Sequence, residues 1–490
     1  MENRSVSRDC FLGSRFLFGV GTLSILTAAA LFAGPTQRRL PGDHADGSKT
    51  RMGHPGRVPS GYLAGVRQAW VASYTGVFDE EPTGMVVDSS GNVYVTGRTS
   101  IPDYTAYVTI KYNTHGQEEW SAGYNPPNCI SSAAAIAIDH SRNVYVTGTS
   151  GTFGIGYPDY VTIKYNSSGQ QQWIARYDGG PNSDDGATAI AVDDLGNVYV
   201  TGRSGFPASD YATLKYDSSG QQQWVARYNG SGDDADYPIA IAVDRFGEVY
   251  VTGSSFGLGT GTDYATVKYD NAGEELWVAR YTGAGSNVDR PAGMTIDASG
   301  NLYVTGTSSV AGGISDYATI KYDNSGQQQW VARYNGTGNG SNQAAGIAID
   351  AVGNVYVTGG SNASDNASDY ATIKYNSVGQ QQWASRYRAL GSGGDFATAI
   401  TVSSSGNVYV TGQSFGDFGT IKYNSAGQQE WVARYNAPQG FDDYASGIAL
   451  DRRENVYVTG ASRQSDIVFD WDFATVKYIP DRIPLPQPRP

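Results

Sequence analysis

Hydrophobic and polar positions alternate along most of this chain in short runs, without the three-to-four spacing of a helix. In the run from Asn354, Val355 and Val357 share one side, and Tyr356 and Thr358 the other. From Asp369, residues Ala371, Ile373 and Tyr375 oppose Thr372 and Lys374. From Gln381, residues Trp383, Ser385 and Tyr387 oppose Ala384 and Arg386. A period of two predicts strands. With the run Gly346 to Asp350 ahead of them, they make a four-stranded unit. Bulky groups stand on both sides of several strands, as a sheet covered on both faces requires. The punctuation agrees. Asp-x-x-Gly-Asn separates the first two runs, as at Asp193 to Asn197, and Asp-Ser-Ser-Gly-Gln separates the last two at Asp217 to Gln221. An acceptor side chain opening the turn and a glycine at positive φ closing it predict tight hairpins. Arg142 and Glu454 stand where that glycine is expected. Each is expected to cost about 1 kcal/mol or more.

The unit recurs. The tyrosine of the second strand appears at Tyr94, Tyr145, Tyr199, Tyr250, Tyr303, Tyr356, Tyr409 and Tyr457. Units of about 50 residues that cannot bury their own faces must stack on copies of themselves. Eight antiparallel four-stranded units, with no capping sequence at either end, predict an all-β, eight-bladed β-propeller. The strand with the smallest side chains, such as Gly346 to Asp350, should line the crowded axis, and the tryptophan strand should lie outermost. The first unit opens on a tryptophan strand, Trp70 to Tyr74, and the last stops after a third strand, Phe473 to Tyr478. The ring is therefore expected to close by pairing the N-terminal outer strand into the C-terminal blade. This divides the chain into residues 1–33, a signal peptide or membrane anchor; 34–68, a disordered spacer; 69–478, the propeller; and 479–490, a proline-rich unpaired tail. The first segment sets Arg4, Arg8 and Arg15 before the apolar run Phe16 to Ala33, the order of a secretory signal, slightly long for one. Export, to the medium or the cell surface, is the expectation.

The combined strings IAVD, GNVYVTG, DYATIKY and GQQQW, spread over residues 70 to 478, resemble the bacterial beta-propeller repeat family abbreviated SBBP. The resemblance implies a secreted or cell-surface propeller and assigns no catalytic residue. The hairpin from Asp217 to Trp224 also looks like a shortened tryptophan-docking motif of eight-bladed quinoprotein dehydrogenases. It is one residue shorter, and the vicinal cysteine pair of those enzymes is unmatched, since Cys129 is alone in the blades.

Net charge is −13, and the acid lies in the repeats, which excludes a phosphate-binding face and hence nucleic acid. Of four histidines only His115 and His140 fall in the blades, at hairpin turns, so a nucleophilic triad or a histidine-rich metal centre has little to work with. Catalytic residues are not identified, and an enzyme, a quinoprotein-like dehydrogenase or a polysaccharide-cleaving enzyme, is the alternative. Residues repeated in every blade read as structural. These are the third-strand lysines such as Lys268, the outer-strand arginines such as Arg280, and the Asp before each third strand, read as a turn former. Function is expected where copies differ, in the loops from second to third strand and from outer strand to the next blade, which share one face of a propeller. These carry Asp79, Glu80 and Glu81, then Asp184, Asp185, Asp233, Asp234, Asp236, Asp289, Asp442 and Asp443, with the aromatics Phe206, Phe256, Phe415 and Trp471. They predict a binding or scaffold face for a protein or polysaccharide on a monomeric propeller. No cofactor is required. Calcium is an option because it takes several oxygen ligands, although no loop has the spaced EF-hand string.

Overall fold

A computed structural model describes residues 65–481, except 77–78, 102–103, 153–155, 284–287, 311–312, 338–339, 363–366, 390–393 and 466–469. The expected signal or anchor, nearly all of the spacer, and the end of the tail lie outside the described residues. Among the described residues there are 32 strands and no helix. The strands form eight separate four-stranded antiparallel sheets. In the third sheet, Asp184–Val192, Val198–Gly205, Asp210–Tyr216 and Gln222–Tyr228 lie in sequence order. First strands of neighbouring sheets touch around the whole ring, the last sheet reaching the first. They are the innermost strands, and the tryptophan strands are outermost.

The closing sheet breaks sequence order. The N-terminal strand Val66–Tyr74 pairs with Trp471–Pro480, outside Val456–Arg463 and Asp443–Leu450. Its register joins Val66 to Pro480 and Tyr74 to Phe473. The strands extend past both expected boundaries. Residues 66–68 leave the spacer, and Ile479 and Pro480 leave the unpaired tail, because each end gives the other a backbone partner. The Asp481 N–H donates to the Gly65 carbonyl at 2.8 Å.

The hairpins explain their own spelling. Asp193 accepts from the N–H groups of Leu195 and Asn197 through one oxygen, and from the Asn197 amide and the Tyr199 hydroxyl through the other, at 2.8–3.0 Å. The repeated tyrosine is thus tied to the turn before it, while its ring is buried between blades. Lys215 Nζ lies 5.3 Å from that ring's centroid, and the other seven third-strand lysines sit similarly over their tyrosines. The lysines are structural, as expected.

Blades are joined by tryptophan. Trp173 Nε1 donates to the Ser218 carbonyl in the next blade's outer hairpin, 3.2 Å away. The hairpin glycine Gly220, at φ +86°, lies on the indole so closely that a Cβ there would stand 2.7 Å from it. The same dock recurs from Trp70 on Gly116 to Trp383 on Gly427. The third-strand tyrosines add a second link, as where the Tyr160 hydroxyl donates to the Ala212 carbonyl at 3.2 Å. Each inner strand also carries a bulge, as between Ala187 and Ala189. The extra residue, Thr188, donates across the axis side to the Pro238 carbonyl at 2.9 Å. Bulges of this kind re-aim one side chain, and the sequence pattern had not marked them.

Candidate binding face

The outer-strand arginines and the acids before each third strand belong together. Arg280 Nη2 lies 3.0 Å from Asp263 and Arg434 Nη2 3.0 Å from Asp417, and Arg176, Arg227, Arg333 and Arg386 pair with the equivalent acids. These aspartates were expected to be turn formers. They serve instead as partners for guanidinium groups beneath the loop face, which also hold a serine of the second strand, as Arg280 holds Ser255 at 2.7 Å.

The acid-bearing loops do gather on one face, with two distinct roles. Asp185, Asp236, Asp289 and Asp443 are buried. Asp185 accepts from the N–H of Gly179 at 2.7 Å and from the Ser183 hydroxyl at 2.7 Å. Asp236 accepts from Gly230 N–H, Asp289 from Gly283 N–H and Asp443 from Ala437 N–H, at 2.6–2.8 Å. In each case the acid folds the loop back onto the blade. Asp395 does the same for Ala389, and Asn342 holds the equivalent place in the sixth blade. These four aspartates are loop organisers. Asp233, Asp234 and Asp442 are exposed, and half-buried Asp184 is held by Arg203 at 2.9 Å. The signal available in sequence was the fixed offset of six residues between Gly179 and Asp185, Gly230 and Asp236, and Gly283 and Asp289.

Two of the four loop aromatics, Phe206 and Trp471, pair with a neighbouring ring. Phe206, 61% exposed, lies against Tyr157 of the preceding blade with ring centroids 5.1 Å apart. Trp471 lies 5.2 Å from Tyr444, and Arg463 sits over Phe441 at 5.4 Å. Phe256 is half-buried and covers Gly232, while Phe415 is exposed at a tight turn with φ +53°. Tyr157, Tyr444 and Phe441 were not singled out from the sequence, because pairing between loops is a tertiary fact.

Among the described residues one group of three acids has its oxygens gathered closely enough to hold a cation. Those of Asp159, Asp178 and Asp185 lie within 4.8 Å of one another. Burial, with the neighbouring charge of Asp178, pushes Asp159 up to about 6. Arg176 already pairs with it at 3.1 Å. The opposite face is built of the repeated hairpins. Two hollows of about 230 and 280 Å³ lie there between turns, the first lined by His140, Asp139 and Asp194, the second by Leu195, Asp244 and Phe246. His115 and His140 are exposed at turns on that face, as expected. Both described chain ends, Gly65 and Asp481, also lie there, opposite the variable loops.

A closed ring of eight four-stranded blades, sealed by its own N-terminal strand, defines an all-β propeller. The beta-propeller repeat, SBBP, matches residues 79–104, 172–207, 223–258, 277–313 and 385–419, so these segments of the chain carry that repeat. An uncharacterized WD repeat-containing protein of Acanthamoeba polyphaga mimivirus is 23% identical over 337 residues, 56% of this chain. The match spans about a quarter of that protein, 24% of its length. Among solved structures, a quinohemoprotein alcohol dehydrogenase from Pseudomonas putida superposes with a TM-score of 0.53 at 12% identity, covering 87% of this chain and 78% of that one. A polysaccharide lyase gives a TM-score of 0.41 at 12% identity, covering 81% and 89%. At such identity the likeness extends to the fold alone.

Proposed function

We propose that this protein is an exported binding or scaffold module that holds a polysaccharide or protein ligand on its variable loop face and works as a monomer. One observation carries the reading. The irregular connections fall on the face opposite both described chain ends, and they present paired aromatic rings beside exposed carboxylates. The described chain enters at Gly65 and leaves at Asp481 on the turn face. Aromatic pairs supply rigid contact area at low entropic cost, and the acidic rim favours neutral or basic ligands.

The test is an array of polysaccharides and basic peptides probed with the intact protein and three variants. Phe206→Ala and Trp471→Ala should each weaken the bound ligand by about tenfold or more, the scale of a buried aromatic anchor. Leu195→Ala, on the turn face, should bind as the parent does. Equal loss in the turn-face variant, or no binding by the parent to either class, would overturn the proposal.

A further inference from the structure

The closing blade lacks one part that six others have. Asp472 holds the position whose carboxylate elsewhere meets an arginine, but the matching residue of the N-terminal strand is Ser73. In the first blade the acid and the arginine are lost together, as Ala106 and Gly123. In the closing blade only the arginine is lost. The loop-organising acid of the adjoining first blade is also unusual, because Glu80 stands where other blades have Asp, Asn or Ser.

Both carboxylates are buried, Glu80 fully and Asp472 to within 4%. The Thr75 hydroxyl donates to one oxygen of Asp472 at 2.7 Å, and the Thr99 hydroxyl to one oxygen of Glu80 at 3.0 Å. Their other oxygens, Asp472 Oδ1 and Glu80 Oε2, have no partner, and neither does Asp79 Oδ1 beside them. Among the described residues no guanidinium pairs with Asp472 or Glu80 as Arg176 does with Asp159. Arg98 pairs with Glu81 at 3.0 Å and acts on Asp79. Asp470 adds further negative charge next to Asp472.

We propose that the seam between the closing and first blades binds an oxygen-preferring divalent cation, with Asp472 and Glu80 as its carboxylate ligands. The ion replaces the guanidinium that other blades build in and couples the two ends of the chain. An acid left buried and unpaired is expensive. Thr75 donates to Asp472 while the adjoining Gly76 lies against the Glu80 carboxylate, so both acids meet the same short segment of the seam. Calcium suits such a site because it accepts carboxylate, hydroxyl and water oxygens in irregular geometry.

Calcium itself is the probe. Thermal unfolding of the intact protein at pH 8 should shift up by roughly 3 °C or more between chelator and millimolar calcium. Calorimetry should count one ion lost in Glu80→Gln and in Asp472→Asn. Ser73→Arg should raise the melting temperature in chelator and abolish most of the calcium shift, a gain that a misfolded variant could not mimic. Asp178→Asn, at the other acidic group, should leave the shift unchanged. A parent protein indifferent to calcium would overturn the proposal, as would a shift that survives in Glu80→Gln and Asp472→Asn. Neither outcome bears on ligand binding at the loop face, which is read separately on the array.

Discussion

Two residues that offend a local rule show how this repeat repairs itself. Arg142 and Glu454 occupy turn positions at φ +65° and +60°, where glycine is expected. Each reaches back to the turn of the preceding blade. Arg142 lies 3.4 Å from Asp88 and donates to the Ser90 hydroxyl at 2.9 Å. Glu454 accepts from the Tyr409 hydroxyl at 2.7 Å and from Ser405 and Asn407. That turn opens with Ser403, so Glu454 supplies the carboxylate that Asp193 and its counterparts supply elsewhere. The bonds hold Glu454 down at about 2. Because its folded value lies below the unfolded one, its contribution is complete above about pH 4.5 and is lost as pH falls towards 2. Glu454→Gly relieves the backbone but removes three hydrogen bonds to a charge. It should destabilise by about 1–2 kcal/mol at pH 7 in denaturant melts, and Ser403→Asp in the same chain should restore the loss. Asp443 has the opposite sign. Burial pushes it up to about 6, so the folded state holds its proton longer and stability falls as pH rises from about 4 to about 6. Asn342 shows that an amide can fill this position. Asp443→Asn should therefore flatten that limb and gain about 1 kcal/mol at pH 7, seen as a higher urea midpoint.

At the scale of the element, the strand is defined by what it covers in its neighbour. The tryptophan of each outer strand docks under the next hairpin, which is why the hairpin glycine cannot carry a side chain. Trp431 shows the rule by exception. The closing blade has no such hairpin, and Trp431 packs near Gly65 with its Nε1 unpartnered. The N-terminal strand is the other half of this exception, because it is the outer strand of a blade whose remaining strands lie about 400 residues later. Removing residues 66–74 would strip the ladder from Trp471–Pro480 and uncover Trp431 and Phe473. The melting temperature should fall by well over 5 °C. An unchanged melt would show that the ring does not depend on this closure.

At the scale of the whole molecule, one face is made of copies and the other of differences. Periodicity of two, hairpin spelling and the eightfold recurrence were enough to read strand, blade, ring and closure, because each depends on local pattern or on counting. The shared loop face was readable for the same reason. The roles within it were not. Asp184 and Asp185 are adjacent and chemically alike in the sequence, yet one meets solvent and Arg203 while the other is buried under a loop. The distinction comes from which side of an inner strand each occupies, and hence which blade it meets.

The sequence by itself determined that eight similar sheets must cover one another and that the first strand must complete the last sheet, since exposed apolar faces and unpaired edges are costly wherever they occur. Only the tertiary structure decided which acids are spoken for and which remain unpaired. That depends on whether a guanidinium, an N–H or a hydroxyl arrives from a neighbouring blade, and such a partner lies tens to hundreds of residues away along the chain.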